Sequence, residues 1–288
     1  MKKYIIALFF FCLFVFNSVS AVELPAINKS KIRLSIAPGQ SDYGEIVIEN
    51  TSEEARSMRV YLSDWYYLPD ANGSKEFVPA NTTPQSCASW ITFSPAEFTL
   101  GAFGKQKVNY SVRVPEGASG GHYAGMFFES VFGKLESQQK EFKAGMNIVI
   151  RIATLFYIEP KGTIKREASI DNLVIKKEKD SFFAMQLDFK NTGNVDITCG
   201  GTFHIMNDEG LVLARGEFND VFTFPDGTAK LSAVCKERLL KGKYDLILTF
   251  NLGKALEEDN FGRGPVVTKE TGIEVEAGGS VSVSGLLK

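Results

Sequence analysis

The sequence predicts an all-β protein made of two tandem β-sandwiches behind a cleaved signal peptide. A chain of 288 residues is long enough for about two domains, each with its own core. Its 23 phenylalanines and 26 glycines, against two histidines, favour strands and turns over helices. Short runs that alternate apolar and polar residues recur between Gly, Pro and Asn turn signals, which is the pattern of a sandwich.

The N-terminus predicts export. Lys2 and Lys3 precede an apolar stretch at 4–16 that is too short to span a bilayer, and Val19-Ser20-Ala21 fits a small-residue cleavage site. We therefore place a signal peptide at residues 1–21 and expect the mature chain in the periplasm or outside the cell. No later apolar run reaches 18 residues, so we expect no membrane span in the mature chain.

The charge balance excludes one class of partner. The net charge is -2 and no basic block occurs, which removes the usual electrostatic basis for binding nucleic acid.

The first half contains a series of short runs that predict strands. They lie at 31–37, 42–49, 56–65, 88–93, 97–100, 105–114, 120–128 and 147–159. Turn signals such as Pro38-Gly39-Gln40 and Asn50-Thr51-Ser52 separate them. This density of short strands predicts an antiparallel sandwich of the immunoglobulin-like type, which we place at residues 22–162.

The run at 146–160, MNIVIRIATLFYIEP, predicts an unusually long strand. From 147 to 159 it would span roughly 40 Å, and both of its faces are largely apolar. An edge strand of a free-standing sandwich should have one polar face, so this strand requires more cover than one sheet provides. It ends at Pro160-Lys161-Gly162, which predicts that it closes the first domain.

The second half repeats the plan. Its predicted strands lie at 168–177, 182–190, 195–206, 210–218, 228–235, 243–252 and 266–275. We place a second immunoglobulin-like domain at 163–276 and a tail at 277–288, either flexible or forming a final short strand. Gly-x-Tyr opens an apolar run at 121–123 and again at 242–244, and a tyrosine at such a corner can bond its hydroxyl back to the chain.

Three cysteines remain after removal of the signal peptide: Cys87, Cys199 and Cys235. In an exported protein a Cys199–Cys235 disulfide is the natural expectation, because both lie in the second half. The alternative is that all three are small buried hydrophobes. No histidine or second cysteine stands at metal-ligand spacing, so we expect no metal and no cofactor.

Three segments of the first half resemble the periplasmic pilus-assembly chaperones and their wider superfamily. These are Leu155-Phe156-Tyr157-Ile158-Glu159-Pro160, Ile46-Val47-Ile48-Glu49-Asn50, and a third strand that ends at Trp65. The acidic-basic-Glu-Ser signature of those chaperones is missing. Residues 119–126, SGGHYAGM, are instead similar to the two-domain proteins that interact with WxL surface proteins.

The resemblance implies strand addition, in which the last strand of the first domain lies beside a partner strand. The partner would be another exported protein, such as a surface or fimbrial subunit. The contacting side chains would belong to one of two alternating sets: Val149, Ala153, Leu155 and Tyr157, or Ile150, Ile152, Phe156 and Ile158. The alternative is that both faces are covered, one by the core and the other by the second domain.

The family also implies two basic residues that hold a partner's terminal carboxylate in the interdomain cleft. The nearest matches are Arg33, with Lys31 as its rival, and Arg151. A forked guanidinium suits a carboxylate. A solvated arginine on a strand face is the competing interpretation for Arg33, and it fits Arg151 less well because Arg151 interrupts an apolar run.

Other functions are weighed against this one. A structural subunit of a surface fibre or cell-wall matrix would self-associate into a homo-oligomer. A glycan-binding module would use aromatic residues at 65–67 and at Trp90. The acidic turns at 70–73 and 257–260 lack the spacing of a calcium loop. His122 and His204 have no catalytic partners in the sequence, so we expect no enzymatic activity.

Overall fold

The computed structural model describes residues 24–136, 145–178, 182–285 and 287, with the backbone alone at 131–136 and 145–148. The predicted signal peptide lies outside the described residues. Eighteen strands, one short α-helix and one turn of 3-10 helix at Ala88–Trp90 are present in this part of the chain. The expectation of an all-β protein is confirmed.

The first sandwich consists of ten strands. They are β1 (Ala26–Ile27), β2 (Lys31–Ile36), β3 (Ser41–Glu49), β4 (Arg56–Tyr67), β5 (Lys75–Pro79), β6 (Ile91–Ser94), β7 (Glu97–Leu100), β8 (Lys105–Arg113), β9 (His122–Glu136) and β10 (Gly145–Pro160). One sheet has the order β1-β3-β8-β6, and the other has the order β2-β10-β9-β4-β5, with β7 also paired to β4. This division of strands is that of an immunoglobulin-like sandwich.

Alternation in the sequence explains how these strands form one core. In β3 the buried residues are Ile46 and Ile48, and in the neighbouring β8 they are Val108, Tyr110 and Val112. Their polar neighbours point to solvent, as the period of two requires. Met126, Phe128 and Phe156 close the core from the opposite sheet.

The second sandwich consists of eight strands and helix α1 (Lys254–Glu258). Its strands are β11 (Ala168–Lys177), β12 (Phe183–Asn191), β13 (Ile197–Met206), β14 (Val212–Thr223), β15 (Thr228–Cys235), β16 (Gly242–Asn251), β17 (Val266–Val275) and β18 (Val281–Val283). The sheets have the orders β11-β12-β15 and β14-β13-β16-β17-β18. Buried phenylalanines from both sheets fill the core between them, and the predicted pair of tandem sandwiches is confirmed.

The two Gly-x-Tyr motifs behave differently. Tyr244 donates its hydroxyl to the carbonyl of Leu240 at 2.8 Å, as expected for a sandwich corner. The Tyr123 hydroxyl instead lies 2.6 Å from the backbone nitrogen of Asp196, which donates to it from the second sandwich. Tyr123 therefore joins the two sandwiches.

The expected disulfide does not hold. Cys87, Cys199 and Cys235 are all free and buried. Cys199 lies on β13 and Cys235 on β15, in opposite sheets of the second sandwich. The nearest hydrogen-bond acceptors of the two thiols are oxygen atoms of neighbouring residues. The three thiols therefore behave as the small buried hydrophobes of the alternative interpretation.

Candidate partner-binding edge and interdomain interface

Strand β10 is paired on both sides over only part of its length. On one side β9 runs antiparallel to it from Gly145 to Ile158. On the other side β2 runs parallel to it, from Leu155 opposite Lys31 to Pro160 opposite Ile36. Residues 145–153 therefore have no partner strand on their outer side among the described residues. This stretch, which we call the open edge, is about 30 Å long.

The backbone direction along the open edge follows from its continuation. The Leu155 amide donates to the Ser30 carbonyl at 2.9 Å and the Lys161 amide to the Ile36 carbonyl, so odd-numbered amides point away from β9. By the alternation of a strand, Val149, Arg151 and Ala153 direct their N–H and C=O groups outward. These are the groups that an added strand would engage.

The structure separates the two faces of β10. Ile150, Phe156 and Ile158 are buried and face the core of the first sandwich. Val149, on the opposite face, is 44% exposed. Arg151 is exposed too and donates through Nε to Oε2 of Glu129 at 2.8 Å. The exposed side of the open edge is therefore the one that carries Val149, Arg151 and Ala153.

The C-terminal half of β10 is covered on this same face. Tyr157 is only 2% exposed and packs against Trp65 and Tyr123, while Leu155 is partly buried against the same group. The expectation that Tyr157 offers its side chain to a partner is therefore wrong for this conformation. In this half of β10 both faces are covered, one by the core of the first sandwich and the other by the second sandwich, which is the alternative to strand addition.

Aromatic rings form much of the interdomain interface. Phe224 of the second sandwich stacks on Tyr123 with ring centroids 4.4 Å apart, and its centroid lies 5.2 Å from that of Trp65. Trp65 is 1% exposed, so its ring cannot bind a glycan as the glycan-binding alternative requires. Trp90 is partly buried and packs against His122 at 4.2 Å.

Arg33 lies in the same interface, surrounded by carboxylates of its own chain. Its side chain is 3% exposed. Nη1 lies 2.5 Å from Oε1 of Glu159, Nη2 lies 3.3 Å from Oδ2 of Asp196, and Nε lies 3.0 Å from Oδ2 of Asp259. Its guanidinium also covers the ring of Tyr157 at 4.5 Å. The interpretation of Arg33 as a solvated arginine is therefore wrong.

The charges around Arg33 are balanced. Arg166 donates to Glu159 at 2.6 Å, Lys31 pairs with Asp259 at 2.9 Å, and the Tyr123 hydroxyl lies 3.3 Å from Oδ1 of Asp196. Burial by itself lowers the pKa of Arg33. The charges and hydrogen bonds of Asp196, Glu159 and Asp259 together raise it by more, so the net pKa of Arg33 lies above its ordinary value. Arg33 therefore stays charged and joins the sandwiches.

Arg33 and Arg151 are not brought together. Arg33 stands opposite Tyr157, six residues along β10 from Arg151, which is about 20 Å. The two arginines therefore cannot hold one carboxylate jointly in this conformation.

A cleft of about 380 Å³ lies where the open edge meets the second sandwich. Ala153, Leu155 and Phe222 contribute to its walls. Lys75 also lines it, donates to the Gly73 carbonyl at 2.9 Å and sits over the ring of Tyr67. Burial, with the charge of Lys31, lowers the pKa of Lys75. The cleft therefore has apolar walls and a rim of mixed charge, because Asp196 and Glu258 line it as well, and it adjoins the open edge at Ala153.

Other sites are not supported in the part of the chain that the structure describes. Within it, no group of three or more His, Cys, Asp or Glu side chains could hold a metal ion. Among the same residues, no helix has the length and apolar character needed to cross a bilayer.

Comparison with known proteins gives similarity at the level of structure. The sequence matches no family model and no curated protein. The class 5 fimbriae chaperone CfaA is similar with a TM-score of 0.45 and 13% identity, over 85% of this chain and 98% of that chain. A chain of the Salmonella enterica SafA pilin–SafB chaperone complex is similar with a TM-score of 0.41 and 11% identity, over 86% of this chain and 97% of that chain. The E. coli chaperone DraB is similar with a TM-score of 0.41 and 9% identity, over 85% of this chain and 97% of that chain.

Proposed function

We propose that this chain is an exported, non-catalytic chaperone or assembly factor that binds another exported protein by β-strand addition at the open edge of β10. The observation that carries the proposal is the row of outward N–H and C=O groups at Val149, Arg151 and Ala153, which lack a partner strand among the described residues. A free edge of this length is otherwise prone to uncontrolled pairing. The proposed site of action is the periplasm or the cell surface.

The side chains beside these groups suit an added strand. Val149 and Ala153 present apolar surface two residues to either side of Arg151, and the cleft continues this surface toward the second sandwich. An added strand would thus gain main-chain hydrogen bonds from the edge and apolar contacts from the face. The resemblance to pilus-assembly chaperones points to a surface or fimbrial subunit as the client.

Site-specific photo-crosslinking in the exporting cell tests the position of the edge. A photoreactive residue at Val149 should give one dominant adduct with an exported protein. The matched control is Val174, which is also 44% exposed but lies on β11 of the second sandwich. Equal adducts at both positions would contradict the proposal.

A proline substitution tests the backbone mechanism. Val149→Pro removes an outward N–H without removing a hydrogen bond to β9, because the Val149 amide points away from β9. We expect it to abolish co-purification of the crosslinked client, whereas Val149→Thr, which keeps the N–H, should retain it. Both variants should melt as the wild type does.

The alternative of a structural fibre subunit predicts self-association. The proposed chaperone should elute as a monomer when free, and a concentration-dependent oligomer linked through β10 would favour the subunit instead.

A further inference from the structure

We infer that the open edge selects a strand with an acidic residue opposite Arg151, flanked at two residues to either side by apolar residues. This inference rests on the proposed strand addition and specifies the chemistry of the strand that is added. It follows from a row of charges that crosses four strands of the same sheet and stops at the open edge.

The row has alternating charge. Arg59 on β4 stands opposite Glu129 on β9, and Glu129 stands opposite Arg151 on β10. Glu129 accepts hydrogen bonds from Arg151 at 2.8 Å and from the Tyr61 hydroxyl at 3.0 Å. The Arg59 guanidinium lies over the Tyr61 ring, 5.7 Å from its centroid. Glu97 on β7 stands opposite Arg59 on its other side, so the row reads acidic, basic, acidic, basic and ends with the cation Arg151.

The position beyond Arg151 is where the next strand would be added. Residues on one face of neighbouring strands interact directly, opposite charges stabilising the pair and like charges opposing it. The Arg151 side chain is 59% exposed, whereas that of Glu129 is 18% exposed, so Arg151 retains most of its surface for a further contact. A carboxylate on the added strand would continue the alternation from Arg59 through Glu129 and Arg151.

The neighbouring rows are apolar. In the row that contains Ala153, Phe127 on β9 stacks on Tyr61 with centroids 5.5 Å apart. On the other side of Arg151, Val149 is exposed. An added strand would therefore meet an apolar, a cationic and an apolar position in turn. This pattern reads the same in both directions, so it applies to a parallel or an antiparallel strand.

Host–guest peptides test this specificity. The probe is a blocked, fluorescently labelled nine-residue peptide with valine at two residues to either side of a central guest and threonine elsewhere. The guest is glutamate, glutamine or lysine, and the dissociation constant is measured by anisotropy. We expect glutamate to bind about fivefold more tightly than lysine, with glutamine between them. The ratio should shrink in 1 M salt because the pair is exposed.

Variants assign the preference to one residue. Arg151→Gln should bring the glutamate-to-lysine ratio close to one, and Arg151→Glu should reverse it. The matched control Arg59→Gln removes a positive charge from the same row, on β4, two strands away from β10, and should leave the order of guests unchanged. All variants are checked by thermal melting before use.

The outcomes separate the two proposals. Guests that bind with equal affinity, or a preference that survives Arg151→Gln, would overturn the acidic specificity while leaving strand addition intact. Failure of every guest peptide to bind, in wild type and variants alike, would overturn strand addition at this edge and the specificity with it.

Discussion

Replacing Arg33 should destabilise the protein far more than replacing Arg151, although both arginines pair with carboxylates. We consider Arg33→Met and Arg151→Met, which remove the charge and keep an apolar stem. After Arg33→Met, Glu159 keeps Arg166 and Asp259 keeps Lys31, but Asp196 keeps only the neutral Tyr123 hydroxyl. The Asp196 side chain is 1% exposed, so its charge cannot be compensated by water.

The magnitude follows from this single orphaned charge. Breaking a buried ion pair by removing one partner costs about 3–5 kcal/mol in free energy of unfolding. The Arg151 side chain is 59% exposed, so loss of its pair with Glu129 should cost only about 0.2–1 kcal/mol. Arg33→Met combined with Asp196→Asn removes the orphaned charge as well, and it should recover part of the loss.

Urea unfolding followed by tryptophan emission measures this difference. Trp65 is buried in the interface beside Phe224, so its emission reports separation of the sandwiches as well as global unfolding. The midpoint and slope give the free energy of unfolding for each variant. The reasoning would be refuted if the two single variants lost equal stability, or if the double variant were less stable than Arg33→Met.

Two further predictions concern titratable groups. Burial lowers the pKa of His122, so as the pH falls the unfolded chain takes up a proton at this side chain before the folded chain does. The stability that His122 contributes should be full above about pH 6.5 and fall below it. His122→Gln should therefore reduce the difference between the urea midpoints measured at pH 7.5 and 5.5. An unchanged difference in the variant would show that other groups cause it. Burial raises the pKa of Cys199 to about 12 and that of Cys235 to about 11, so at pH 8 a disulfide reagent should titrate no thiol rapidly in the native mature protein and all three in denaturant without reductant. A single thiol in denaturant would indicate a disulfide after all.

Local patterns were sufficient to predict most of the strands, but β1 and β5 were not predicted. The alternation in β3, β8 and β12 is visible in the sequence because one face of each strand is buried and the other is solvated. The length of β10 was predictable as well, since its run of β-branched and aromatic residues is continuous. Its half-open edge was not, because the cover comes from β2, which lies more than a hundred residues earlier in the chain.

The two arginines show why site residues were harder to predict. Arg151 interrupts an apolar run and therefore suggested a buried function, yet its side chain lies on the exposed face beside Glu129. Arg33 alternates with apolar residues and therefore suggested solvent, yet the second sandwich packs over it and brings Asp196 and Asp259 to its guanidinium. No local signal marks these two aspartates, because their partner belongs to a strand of the other sandwich.

The two halves of β10 meet different requirements, and this resolves why both of its faces are apolar. Its C-terminal half has one face in the core and the other, at Tyr157, against the second sandwich, so neither face can be polar. In its N-terminal half Ile150 still serves the core, but Val149 and Ala153 lie on a face that the second sandwich covers only in part. Apolar residues beside an unpaired backbone edge are a liability unless another strand covers them. The buried Arg33 ion pairs hold the second sandwich against the C-terminal half of the strand, whereas the N-terminal half has no partner strand on its outer side among the described residues.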